Sequence, residues 1–253
     1  MECRPTVKDI YEYINSIAPF ENQCEWDNSG FLVGCKDNEV KKIGVVLDIT
    51  TAAVDYAAKN GIDLIVSHHP VIFRAVKHFT DGDLPFALAS KGISAICAHT
   101  NLDIAKGGVN DALAEILGFE NVSLLADSGD LSMIRIAEID ETDGESLAKY
   151  VAEKLNAPVR IADSGRKIRK VAFCGGSANE FVPDVAANGC DAYITGELKH
   201  HEFLDALEMG VTVITAGHFE TENPVVAVLA EKLKNNFNAE VDIIPQNSPI
   251  KHF

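Results

Sequence analysis

The strongest constraint on this chain is an internal repeat. Lys42-Ile-Gly-Val-Val-Leu-Asp48 runs on to Asn60-Gly61-Ile-Asp63-Leu-Ile-Val-Ser67 and closes on His68-His69. Lys170-Val-Ala-Phe-Cys-Gly-Gly176 runs on to Asn188-Gly189-Cys-Asp191-Ala-Tyr-Ile-Thr195 and closes on Gly196-Glu197, 128 positions later and without a gap. A further echo at an offset of 119 matches His99-Thr-Asn-Leu-Asp103 to His218-Phe-Glu-Thr-Glu222, both reading His-x-x-x-acid. A duplicated unit that gathers imidazoles and carboxylates at matching places points to one shared metal site.

Apolar runs of strand length alternate with helix-like stretches. The pattern predicts strands near 31–34, 43–47, 63–67, 94–98, 132–138, 158–161, 170–174, 191–195 and 211–215. Helices are expected near 6–18, 51–60, 84–91, 109–117, 145–156, 179–188, 200–208 and 223–236. Short continuous apolar strands such as Leu64-Ile-Val66 fit a sheet covered on both faces. Thr50-Thr51 and Asn179-Glu180 read as helix starts, and Gly61 and Gly189 as the residues just past helix ends. The expected fold is α/β: two similar lobes with mixed, mostly parallel sheets. The first lobe, 1–125, holds the His-His and His-x-x-x-Asp strand ends. The second, 126–253, holds the Gly-Glu and His-x-x-x-Glu ends.

The net charge of −16 argues against nucleic-acid or anionic-membrane partners, which need a positive field. No apolar stretch approaches the ~20 residues of a membrane span, and the first residues carry no apolar leader core. The six cysteines (3, 24, 35, 97, 174 and 190) are scattered, with no Cys-x-x-Cys pair, so reduced thiols in a cytoplasmic protein are expected.

In open α/β sheets ligands bind outside the carboxyl ends of the strands. Four strand ends here deliver His or carboxylate and none delivers a thiol. A turn leaving the strand lets both His68 and His69 face one crevice, although a pair of surface histidines reads the same way. The i, i+4 spacing of His99–Asp103 and His218–Glu222 puts each pair on one face if the turn is already helical. Imidazole with carboxylate suits Zn, Fe, Mn, Co or Ni. Three His and two acids over-supply one tetrahedral ion, so a bridging carboxylate between two divalent ions, ~3.5–4 Å apart, is more economical. His99, Glu197, His200 and His201 exceed what such a site holds. His99, Glu197 and His201 remain candidates for outer support or proton transfer. Arg74 and Lys77, with His78, follow the His-His pair and are candidates for a substrate phosphate, or form a solvated cationic loop. Asp48 reads as a helix cap rather than a ligand, and Gly175-Gly176 as a mere strand-end pair.

Five pieces in this order resemble the family of GTP cyclohydrolase 1 type 2 homologues, the NIF-three-like proteins. They are Trp26-Asp-Asn-Ser-Gly30, Ser67-His-His-Pro70, His99-Thr-Asn-Leu-Asp103, Thr195-Gly-Glu197 with His201, and Gly217-His-Phe-Glu-Thr-Glu222. The resemblance implies two intertwined α/β lobes with a dinuclear centre in the cleft between them. Its ligands would be His68, His69, Asp103, His218 and Glu222, with Glu222 the bridge. It implies a toroidal homohexamer without the extra inserted domain of some relatives, and a metal-dependent hydrolase acting on a nucleotide or related small molecule. For a cyclohydrolase the target would be C8 of the purine. A phosphatase or nucleotidase on the same metals, and a non-catalytic metal-binding scaffold, stand beside that reading.

Overall fold

The computed structural model describes residues 4–251, so Cys3 lies outside the described residues. Contacts divide the chain into two units: unit 1 runs to Gly108 and resumes over Val226–Asn247, and unit 2 comprises Val109–Val225 and the residues from Ser248 on.

Unit 1 begins with α1 (Val7–Ile17), β1 (Gly30–Val33), β2 (Lys42–Val46) and α2 (Thr51–Lys59), followed by β3 (Leu64–Ser67), α3 (Leu84–Ser90), β4 (Ser94–Cys97) and α4 (Thr100–Ile104). A capping box starts α1: the Thr6 hydroxyl accepts from Asp9 N–H while the Asp9 carboxylate accepts from Thr6 N–H. Its stripe of Val7, Ile10 and Ile14 is fully buried. Thr50 caps α2 by accepting from Ala53 N–H, and Gly61 follows at φ +67°, the left-handed stop that glycine permits.

Unit 2 comprises α5 (Val109–Leu117), β5 (Ser123–Leu124), β6 (Arg135–Thr142), α6 (Gly144–Leu155), β7 (Arg160–Ala162) and β8 (Ile168–Cys174), then α7 (Val182–Ala187), β9 (Ala192–Thr195), α8 (His200–Glu208), β10 (Thr212–Thr215) and α9 (His218–Glu222). From there α10 (Pro224–Asn236) returns the chain to unit 1, where β11 (Glu240–Ile243) joins the sheet edge.

The sheets run β1-β4-β3-β2-β11 in unit 1 and β5-β6-β8-β9-β10-β7 in unit 2. Four strands of each share one plan. β2, β3 and β4 are parallel neighbours, as are β8, β9 and β10. β1 closes the first set antiparallel and β7 the second. The repeat in sequence is thus a repeat in topology, and the fold is a mixed α/β pair of sheets. The sheets part at their other edge, where β11 is parallel to β2 but β6 is antiparallel to β8. Each unit has its own core: Val46, Val54, Ile65 and Leu88 in one, Leu113, Val151, Phe173 and Ile194 in the other.

The segment expected as one helix over 179–188 is two pieces, a 3-10 turn at Asn179–Phe181 and then α7. Asn179 does not cap it, because its amide donates to Glu202 instead, at 2.7 Å. β11 was not expected from its acid-interrupted sequence; Lys42 Nζ offsets that charge by pairing with Asp242 at 2.7 Å and Glu240 at 3.6 Å. No helix among the described residues is long and apolar enough to cross a membrane.

Candidate metal centre

In unit 1 the parallel pairing of β2 with β3 carries on past the strand ends, with His68 N–H donating to Val46 O and His69 N–H to Leu47 O. Both imidazoles are therefore fixed by backbone before Pro70 ends the pairing. His68 is buried, and its Nδ1 donates to Ala98 O at 2.9 Å. His69 Nδ1 meets Asp48 Oδ1 at 2.7 Å. His99 Nδ1 meets Asp27 Oδ1, also at 2.7 Å. Every Nδ1 faces an acceptor, which orients it as the donor and leaves Nε2 as the ring atom turned toward the cluster. His68, His69 and His99 each offer a ligand atom, and these atoms lie within 4.8 Å of one another. Asp103, on α4, brings Oδ1 to 3.7 Å from His68 Nε2.

The Trp26–Gly30 segment explains why His99 is held. Asp27 accepts from Asn28 N–H at 2.7 Å, Ser29 Oγ at 3.0 Å, Thr100 N–H at 3.0 Å and Thr100 Oγ1 at 2.5 Å. Burial pushes its carboxyl up, but the hydrogen bond and charge of His99, with the Thr100 and Asn28 donors, outweigh this and hold it well below the usual carboxylate range. Asp27 is anionic at neutral pH and orients His99.

In unit 2, α9 is a single turn carrying His218 at its start and Glu222 at its end. The i, i+4 geometry brings His218 Nε2 to 3.0 Å from Glu222 Oε2, and Glu197 Oε2 lies 3.6 Å from His218 Nδ1. Glycine makes the room. Gly176 has φ +66°, and a Cβ there would collide with Glu222 Oε1 and come within 3.4 Å of His218 Nε2. A Cβ on Gly196 would lie 2.5 Å from Gly176 O and 2.9 Å from His218 Cα. Thr221 fastens this corner, accepting from Gly176 N–H at 3.0 Å and donating to Gly217 O at 2.8 Å.

The remaining sequence candidates are not members of these clusters. Arg74 and Lys77 are exposed on the loop after Pro70. His201 is exposed on α8, 3.9 Å from Glu202. Three residues gain a role the sequence reading did not give them. Asp48, expected as a helix cap, leaves the capping of α2 to Thr50 and buttresses His69, while Gln246 Nε2 donates to its Oδ2 at 3.3 Å. The register could have signalled this, since Val46 pairs with Ser67 and Asp48 and His69 lie two residues further along. Asp27 enters the sequence reading only within the Trp26–Gly30 segment. Gly176 reads in sequence only as one of a strand-end pair.

The family model described as Duf34/NIF3 (NGG1p interacting factor 3) matches residues 5–249. A Campylobacter jejuni protein named GTP cyclohydrolase 1 type 2 homolog is 34% identical, covering 98% of this chain and 99% of its own. A Helicobacter pylori protein named GTP cyclohydrolase 1 type 2 is 31% identical, covering 97% of this chain and 98% of its own. Among solved structures, a Staphylococcus aureus hypothetical protein superposes with a TM-score of 0.91 at 27% identity, covering 99% of this chain and 100% of its own. Reduced HcgD from Methanocaldococcus jannaschii does so with a TM-score of 0.83 at 31% identity, covering 94% of this chain and 97% of its own.

Proposed function

Because the chain belongs to the Duf34/NIF3 family, we propose that it is a metal-dependent hydrolase of the GTP cyclohydrolase 1 type 2 kind, acting on a nucleotide or related substrate. The residues that would hold its two divalent ions are His68, His69 and Asp103 in unit 1 and His218 and Glu222 in unit 2, and the working form would be a homohexamer. The observation that carries the reading is the imidazole trio of unit 1. His68 and His69 have Nδ1 tied to acceptors, the outer support that metal-bound histidines require, and His99 stands with its ligand atom within 4.8 Å of theirs, its own Nδ1 on Asp27. The Gly176 cradle, shaped to the Glu222 carboxylate, is the matching feature in unit 2.

Bound there, the ions supply Lewis acidity and lower the pKa of a water molecule. The chain's own residues hold and move protons. His99 takes a proton at Nε2 while its Nδ1–H stays on Asp27, whose carboxylate stabilises the imidazolium that forms. Glu197, close to His218 Nδ1, keeps that ring turned so that Nε2 faces Glu222. In the cyclohydrolase reaction the attacked atom is purine C8.

The test is elemental analysis of protein purified without added metal or chelator, alongside hydrolysis of a panel of nucleotides and phosphoesters, for wild type and Glu222→Ala. Two transition-metal ions per chain, with both metal and turnover lost in the variant, are expected. Protein that takes up no metal on titration would overturn the reading. Metal without turnover on any nucleotide or phosphoester would leave a scaffold.

A further inference from the structure

Unit 2 holds a pocket of about 530 Å³ beside the Gly196-Glu197 strand end, within the size range of small-molecule sites. Arg160 and Lys199 line it together with Glu197 and Gly217, the residue before His218. Arg135 and Arg169 each pair with a carboxylate, Asp111 at 2.6 Å and Glu141 at 2.8 Å. Arg160 forms no such pair among the described residues. Neutral partners fix it instead: Nε donates to Thr215 Oγ1 at 3.3 Å, and the guanidinium stacks 5.2 Å from the Phe203 ring centroid. A cation that is oriented but not neutralised, in a chain of net charge −16, is preorganised for an anion.

Lys199 supplies the second positive group. Its Nζ is 3.5 Å from Glu202 Oε1, but that carboxylate already accepts from Lys199 N–H at 2.6 Å and Asn179 Nδ2 at 2.7 Å. The ammonium is mostly exposed and retains donors for a ligand. Val159 and Leu198 give the same pocket an apolar wall. Its position ties it to the metal donors of this unit. Arg160 on β7 pairs in register with Thr215 on β10, and three residues of chain, at most ~10 Å, separate Thr215 from His218.

We propose that this pocket recognises the non-reacting end of the substrate, an organic monophosphate, with the phosphate on Arg160 and Lys199 and a partly apolar body against Val159 and Leu198. The charge balance sets the selectivity. Two cations meet one phosphate, whereas Glu197 and Glu202 in the same lining oppose a longer polyanion. The role in catalysis rests on the hydrolase reading; the binding does not.

The experiment is calorimetric titration of phenyl phosphate into the full-length protein, both as purified and after chelation. Saturable binding is expected in both states, with phenol failing to bind and tripolyphosphate competing poorly. Arg160→Gln should weaken binding roughly tenfold or more and Lys199→Gln less. Arg160→Lys should recover part of the loss, and Lys149→Gln, on α6, should change nothing. Thermal melts of each variant confirm folding. Binding untouched by Arg160→Gln, or lost on chelation alone, would overturn the pocket and leave the ions as the phosphate holders. Binding that follows Arg160 in a protein without metal or turnover would keep the pocket and remove the hydrolase reading.

Discussion

The two units place different residues at one aligned position, and the difference shows how each holds its donors. Where unit 1 has Asp48, unit 2 has Gly176. The Asp48 carboxylate buttresses His69 from behind. At Gly176 the side chain is gone, and its space goes to Glu222, one methylene longer than its counterpart Asp103. Unit 1 thus fixes imidazoles through a web of hydrogen bonds, and unit 2 seats a carboxylate by clearing room for it. A duplicated strand order decides where donors arrive, and the individual side chains behind them decide what holds them.

The largest effect should come from breaking the web. Asp27→Ala leaves five donors without their acceptor: Asn28 N–H, Ser29 Oγ, Thr100 N–H, Thr100 Oγ1 and His99 Nδ1. Each buried polar group left unsatisfied costs about 1–3 kcal/mol, so a loss of several kcal/mol is expected in denaturant unfolding. Asp27→Asn keeps an acceptor and should lose less while still changing the His99 proton. If Asp27→Ala unfolds like wild type, water satisfies these groups and the web is not what holds His99.

Next comes the cradle. Gly176→Ala forces a side chain into left-handed backbone at about 1–2 kcal/mol and pushes its Cβ onto Glu222. Its metal content should fall to that of Glu222→Ala while the far-ultraviolet dichroism stays native. Wild-type metal content in Gly176→Ala would show that Glu222 tolerates displacement. Asp48→Ala is the reciprocal change in unit 1. It should weaken metal binding by roughly 10–100-fold, the usual cost of losing the partner behind a ligating histidine, read by competition with a chromogenic chelator. Stability should change little, because Asp48 is part-exposed.

Much of this was legible because the repeat aligns strand ends and because buried parallel strands read as continuous apolar runs. The His-His and His-x-x-x-acid donors sit where periodicity put them, and α4 and α9 are the short helical turns that the spacing needed. The supports were harder to see. Asp27 and His99 are 72 residues apart, and no local pattern announces a contact made only by tertiary folding. Gly176 carries no chemistry of its own, and its meaning appears only beside Glu222. Asp48 ends its strand just before a helix, where an acid suits a cap, but Thr50 stands closer to the helix and takes that place. Likewise Asn179 looked like a helix start until Glu202, 23 residues on, drew its amide away.

The smallest predicted effect concerns two helices, one in each unit, that begin differently. In unit 1, α1 has a reciprocal box between Thr6 and Asp9. In unit 2, α6 has one bond, from Ser146 N–H to Asp143. Backbone hydrogen bonding from Thr6, with its hydroxyl, holds the Asp9 carboxyl below its ordinary value, and the Ser146 N–H does the same for Asp143. Both pKa values are depressed in the folded state. Their contribution is therefore complete above the unfolded value, about pH 4, and is lost as pH falls through the lowered one. Thr6→Ala should cost unit 1 about 1 kcal/mol at neutral pH. Hydrogen exchange should show the change in α1 peptides and not in α6. The variant should also lose less stability on acidification than wild type, because only the backbone half of the box remains to be titrated. Equal loosening of α1 and α6 would mean that the cap does not act within its own unit.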